Sequence, residues 1–85
     1  MAPKPRRLSG ADVIKALGRL GFDVVAIRGS HAKLRRIAAE GQRQALLVPL
    51  HRELAIGTVL AVYRQALKFV PERELRAVFF SYTPK

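Results

Sequence analysis

Five consecutive residues, Gly29-Ser30-His31-Ala32-Lys33, hold the groups of this chain best suited to chemistry. Imidazole is the one side chain whose ordinary pKa lets it trade a proton near neutral pH. Arg28, Lys33 and Arg35 surround His31 in sequence with fixed positive charge, which attracts phosphate and concentrates an anionic substrate. A proton-transfer group among cations suits the cleavage of RNA, whose ribose 2′-hydroxyl is already a nucleophile. Such a reaction needs a base for that proton, an acid for the departing 5′-oxygen and cations for the phosphorane charge. His31 is the candidate for proton transfer, as base, acid or both in turn. Lys33 is the candidate for transition-state stabilisation, and Arg35 or Arg28 for holding the flanking phosphates. The plainer reading leaves His31 as a solvated residue of a sheet face with no chemical role.

Neighbouring residues carry their own alternatives. Gly29 reads as a backbone requirement of a tight turn. Ser30 either caps that turn through its hydroxyl or contacts phosphate. His51 is either a second acid–base group or a residue that anchors a loop. Tyr63 lies in an apolar helical stripe and reads as core rather than as a platform for base stacking.

Charge is the strongest compositional fact. Sixteen Lys and Arg against six Asp and Glu give a formal net charge of +10 on 85 residues. That excess is the expected footprint of a phosphate-backbone binder, although an acidic protein or a membrane surface would attract it too. No long basic amphipathic helix supports the membrane alternative. The absence of cysteine excludes disulfides and cysteine–zinc sites, and the two histidines and six carboxylates show no metal-ligand spacing. No apolar run approaches the roughly 20 residues of a membrane span and no signal-peptide core follows the basic start, so a soluble, cytoplasmic protein is expected. A hydrophobic fraction of 49% suits one small folded domain.

The elements that must position these groups follow from pattern. Residues 1–7 read as a disordered basic arm whose Lys4, Arg6 and Arg7 add nonspecific phosphate affinity, and residues 8–85 as a single domain. Ser9 and Asp12 have the spacing of a capping box, and Leu8 and Val13 that of a hydrophobic staple. Val13, Ile14, Leu17 and Leu20 share one helical face, and Gly21 supplies a left-handed stop, predicting a helix over residues 10–20. Phe22 to Arg28 reads as a strand, Gly29-Ser30 as a tight turn and His31 to Ile37 as the returning strand. Ala32 and Leu34 then point one way, and His31, Lys33 and Arg35 the other. Residues 38–43 form a second turn, and Gln44 to Leu50 a third strand. Its Leu46, Val48 and Leu50 share one face, and Leu47, Pro49 and His51 the other. Pro49 belongs at a strand end or on an edge. Strict alternation aims Arg36 at the packed side, so either the strand ends there or the side chain snorkels to the edge. Ile56, Val59, Leu60, Tyr63 and Leu67 recur at helical spacing and predict a helix over residues 57–68. Pro71, Glu72 and Glu74 suit the start of a further short helix, with Leu75, Val78 and Phe79 able to pack on the core. Phe79 is expected in the core, and Phe80 and Tyr82 either complete it or form an interface. The result is an α+β fold ordered α-β-β-β-α: a three-stranded antiparallel sheet, two helices over one face and a C-terminal helical extension. The other face stays open, with His31, Lys33 and Arg35 upon it and His51 near.

Several of these pieces together resemble the HicA family of small toxins, over about residues 9 to 68. They are Val13-Ile14-Lys15-Ala16-Leu17, Gly21-Phe22, the Gly-Ser-His-x-Lys motif at 29–33, Val48-Pro49-Leu50-His51 and Glu53-Leu54-Ala55-Ile56-Gly57-Thr58. The resemblance implies a fold similar to double-stranded RNA-binding domains and metal-independent, cofactor-free cleavage of mRNA. It also implies a catalytic role for His31 and neutralisation by a HicB-type antitoxin, which is expected to cover the His31 face. The pattern departs at Ala55-Ile56, where a lysine often precedes the Gly-Thr pair, and residues 69–85 lie beyond the similarity. Two other functions compete with an endoribonuclease toxin. One is a noncatalytic RNA-binding module of the same fold; the other is an interaction domain whose positive face exists for an acidic protein.

Overall fold

The computed structural model describes residues 8–79. Its first helix, α1 (Gly10–Gly18), begins where the capping box predicts. The Asp12 amide donates to Ser9 Oγ and the Ser9 amide to Asp12 Oδ2, both at 3.0 Å. Two amides at the helix entry thereby gain partners. Leu8 and Val13 both join the core cluster, as a staple requires. Gly21 follows at a φ of 95°, and the chain turns into the sheet.

Three antiparallel strands follow, β1 (Asp23–Arg28), β2 (His31–Ile37) and β3 (Arg43–Pro49), ordered β1-β2-β3. Arg28 pairs with His31, so Gly29-Ser30 is a two-residue hairpin turn. Gly29 has a φ of 56° and Ser30 is not in the positive region, the pattern of a type II′ turn with glycine first. Pro49 is the last residue of β3, an edge strand, as its missing N–H demands. The register between β1 and β2 slips once, between Val24 and Ala26, leaving Val25 as the extra residue of a bulge.

Two further helices, α2 (Ile56–Ala66) and α3 (Glu72–Phe79), complete the fold. Ala32, Leu34, Leu46 and Val48 of the sheet share one cluster with Val13, Leu17, Val62, Ala66, Leu75 and Phe79 of the helices. All three helices therefore lie over the same sheet face. The C-terminal extension is part of this core: Leu75 and Phe79 are buried, and the Phe79 ring meets Tyr63 edge-on at 5.4 Å. Phe80, Tyr82 and the basic arm lie outside the described residues.

Three expectations need correction. The stripe assigned to the core face of α2 is misplaced by roughly a quarter turn. Ile56 is 72% exposed and Leu60 and Leu67 are also exposed, while Val62 and Ala66 are buried and Val59 and Tyr63 partly so. The smaller residues face the sheet, which lets the helix axis approach closely. Leu50 is exposed because β3 ends at Pro49 and its alternation ends with it. Finally, β2 continues through Arg36 to Ile37, and Arg36 is held inside the fold.

Arg36 sits on the helix side of the sheet opposite Gln44. Its Nε–H donates to Gln44 Oε1 at 2.8 Å, Nη1–H to the Leu20 carbonyl and Nη2–H to the Phe69 carbonyl, each at 3.0 Å. The guanidinium also lies 5.1 Å from the centre of the Phe22 ring. One planar fork thus joins β2, β3, the exit of α1 and the link between α2 and α3.

Candidate nucleic-acid interface

Residues directly opposite in an antiparallel pair project on the same side of the sheet. The register therefore fixes the open face row by row. Arg28, His31 and Pro49 form the end row beside the hairpin turn, and Ala26, Lys33 and Leu47 the next. Asp23, Arg35 and Ala45 form the third row, and Ile37 and Arg43 close the face at the far end. Burial agrees: His31, Lys33, Arg35 and Ile37 are exposed, whereas Ala32 and Leu34 between them are completely buried.

Every sequence-predicted site residue on the sheet except Ser30 thus falls on one surface. Ser30 occupies the turn, exposed, and its carbonyl accepts the Leu50 amide at 2.6 Å. That bond carries the chain from β3 past the turn and places His51 in the adjoining loop. The His51 side chain is exposed, and it is the main-chain carbonyl that anchors the loop, accepting the Gly10 amide at 2.8 Å. The bond holds the start of α1 against the end of β3, so closely that a Cβ on Gly10 would collide with the Pro49 carbonyl oxygen. Glycine is required there for space. Tyr63, as expected, lies on the helix side.

The face is strongly cationic. Arg28, Lys33, Arg35 and Arg43 all stand on it, and Asp23 is the one carboxylate among the strand residues. None of the four cations has a side-chain hydrogen bond or ion pair to another described residue. Arg43 escapes the sequence reading, which ends the turn there. Extending the alternation of Leu47 and Ala45 by one step finds it. Among the described residues no group of three or more His, Asp or Glu side chains could hold a metal ion. No helix among them is long and apolar enough to cross a membrane.

A three-stranded antiparallel sheet with helices on one face and an exposed histidine among cations on the other defines a small α+β module with one open, cationic face. Residues 10–67 match the family model described as the HicA toxin of bacterial toxin–antitoxin systems. The chain belongs to that family and is the toxin component of such a system. No curated protein and no solved structure matches it. The family match ends at the exit of α2, so α3 with its two core residues, and Phe69, whose carbonyl accepts from Arg36, lie outside the matched span.

Proposed function

We propose that this toxin is an endoribonuclease that cleaves mRNA through His31. The observation that carries the reading is the exposure of His31 on an uncovered sheet face, flanked across the strands by Arg28 and followed on the same face by Lys33 and Arg35. In the reaction the ribose 2′-oxygen attacks the adjacent phosphorus while its proton passes to a base. The bond from phosphorus to the 5′-oxygen breaks, and that oxygen takes a proton. The products are a 2′,3′-cyclic phosphate and a free 5′-hydroxyl. His31 serves the proton transfers. Lys33 lies two residues along the same strand, about 7 Å away in backbone rise, and its ammonium meets the charge that builds on the phosphorane. Arg28 and Arg35 hold neighbouring phosphates, and the exposed Ser30 hydroxyl stands at the rim. His51, one loop away, is the candidate for the second proton. The resident partner is a HicB-type antitoxin that covers the His31 face, matching charge with charge and shutting out substrate.

The test compares wild type and His31→Ala on a single-stranded transcript in excess EDTA, and by growth arrest on expression. Loss of a positioned acid–base group lowers the rate by about 10²- to 10⁴-fold. A transcript whose cleaved ribose is deoxy must resist the wild type. Full activity of His31→Ala removes the histidine from the reaction. A wild type that binds RNA and leaves it intact favours the noncatalytic module.

A further inference from the structure

The four open-face cations are arranged along a line. Arg28 stands on β1 in the end row and Lys33 on β2 one row further. Arg35 follows on β2 in the third row, and Arg43 on β3 in the fourth. Each step advances two residues along the strands, and two of the three also cross to the next strand. With about 3.4 Å per residue and about 4.8 Å between strands, the steps measure roughly 7 to 8 Å. That is close to the phosphate repeat of an extended polynucleotide strand. Apolar side chains lie beside the line: Leu47 next to Lys33 and Ile37 opposite Arg43, 54% and 56% exposed. These suit the faces of unpaired bases, which a duplex keeps stacked inside. Among the described residues every Phe and Tyr ring belongs to the core cluster or packs against it, so none of them offers a base a stacking surface here.

We propose that the open face binds an extended single strand of RNA along the diagonal Arg28, Lys33, Arg35, Arg43, with His31 at one end of the track. This rests on the endoribonuclease reading and adds Arg43 and a direction to it. Because His31 stands in the end row, with Arg28 opposite it, most of the sheet holds the nucleotides on one side of the scissile phosphate, and the other side leaves past Arg28 and the hairpin turn. Contacts to phosphates and alkyl side chains carry little base information, so the track contributes affinity more than sequence choice. Asp23, opposite Arg35, opposes the anion locally and limits the grip at the middle of the line.

The experiment measures binding of a 2′-O-methyl oligouridine, which has no attacking hydroxyl, to the full chain over a range of salt. For single strands each lost phosphate contact reduces the slope of log K against log salt by about 0.7. Lys33→Gln, Arg35→Gln and Arg43→Gln each flatten the slope by about that amount, while Arg64→Gln on α2 leaves it unchanged. A duplex of equal length binds more weakly. An unchanged slope in Arg43→Gln overturns the track, and so does a duplex bound as tightly as the single strand. If Arg43→Gln weakens only the hold of the antitoxin, the diagonal serves the protein partner and the proposal falls. Cleavage by wild type in any of these cases leaves the nuclease reading standing; a wild type that neither binds nor cleaves RNA overturns both.

Discussion

On its helix side β2 carries Ala32, Leu34 and Arg36; on its open side it carries His31, Lys33, Arg35 and Ile37. Adjacent arginines therefore meet opposite fates. The Arg36 guanidinium has three hydrogen bonds and an aromatic face, and two of its acceptors are main-chain carbonyls at the ends of helical segments. Arg35 has no such partner among the described residues. A strand charge is thus not by itself a sign of a solvated or ligand-binding face. What separates the two is whether the fold supplies an acceptor to each guanidinium nitrogen. Where it does, the charge is structural, and where it does not, the charge is available to an external anion.

The largest effect expected from this contrast follows from removing the helix-side arginine. Arg36→Met leaves the Leu20 and Phe69 carbonyls without their donor and should cost about 2 to 3 kcal/mol, allowing for partial access to water. Arg35→Met should stay within about 0.5 kcal/mol of wild type. Urea midpoints at unchanged m-value measure both. Arg36→Lys should fail to restore the loss, because an ammonium cannot bridge three acceptors in a planar fork. Equal midpoints for the Arg35 and Arg36 variants would break the comparison.

A second contrast sharpens how α1 is held beside the site. Gly10 and Gly18 begin and end the same helix, yet a Cβ meets the Pro49 carbonyl at one and nothing within 4 Å at the other. Gly10→Ala should force the entry of α1 away from β3 and cost about 1 to 3 kcal/mol, as overpacking does. Gly18→Ala should be neutral or stabilise by up to about 1 kcal/mol through helix propensity. Thermal midpoints of the two variants should therefore move apart. A Gly10→Ala protein as stable as wild type would mean that the α1–β3 junction is loose.

Much of this molecule is legible in its residues because the informative relations are local. The Ser9–Asp12 box, the Gly29-Ser30 turn and the period-two pattern of β2 each involve neighbours in the chain. They locate α1, the hairpin and the open face with His31, Lys33 and Arg35. Relations that span the fold leave no such trace. Two of the three acceptors of Arg36 lie 16 and 33 residues away and are backbone atoms, which no side chain advertises. Gly10 reads as an ordinary helix residue until Pro49 is brought against it. The facing of α2 is ambiguous because Ile56, Leu60 and Leu67 form one apolar stripe and Val59, Val62 and Ala66 another. Only packing against the sheet selects the smaller set. On the site, Arg43 belongs to the open face by the same alternation that places Lys33. Its place beyond Arg35 on the diagonal requires the register between strands.

The smallest expected effect concerns the helix-side layer at its outer margin. Tyr63 is half-buried, edge-on to Phe79, and its hydroxyl donates to Glu72 Oε2 at 3.5 Å. Burial raises its pKa above the ordinary 10.0; the Glu72 charge and hydrogen bond push the same way, and Arg76 opposes them. The folded chain therefore keeps the phenol proton to a higher pH than the unfolded chain. Stability from this group is complete below the unfolded value and is lost as pH rises through the folded one. Tyr63→Phe removes the titrating group, so between about pH 9 and pH 11 its thermal midpoint should fall less than that of wild type. Lysine titration acts on both proteins alike and cancels in the difference. Parallel decline of the two would show that the Tyr63 hydroxyl is as well solvated in the native state as in the unfolded chain, and that the α2–α3 contact ends at the Phe79 ring.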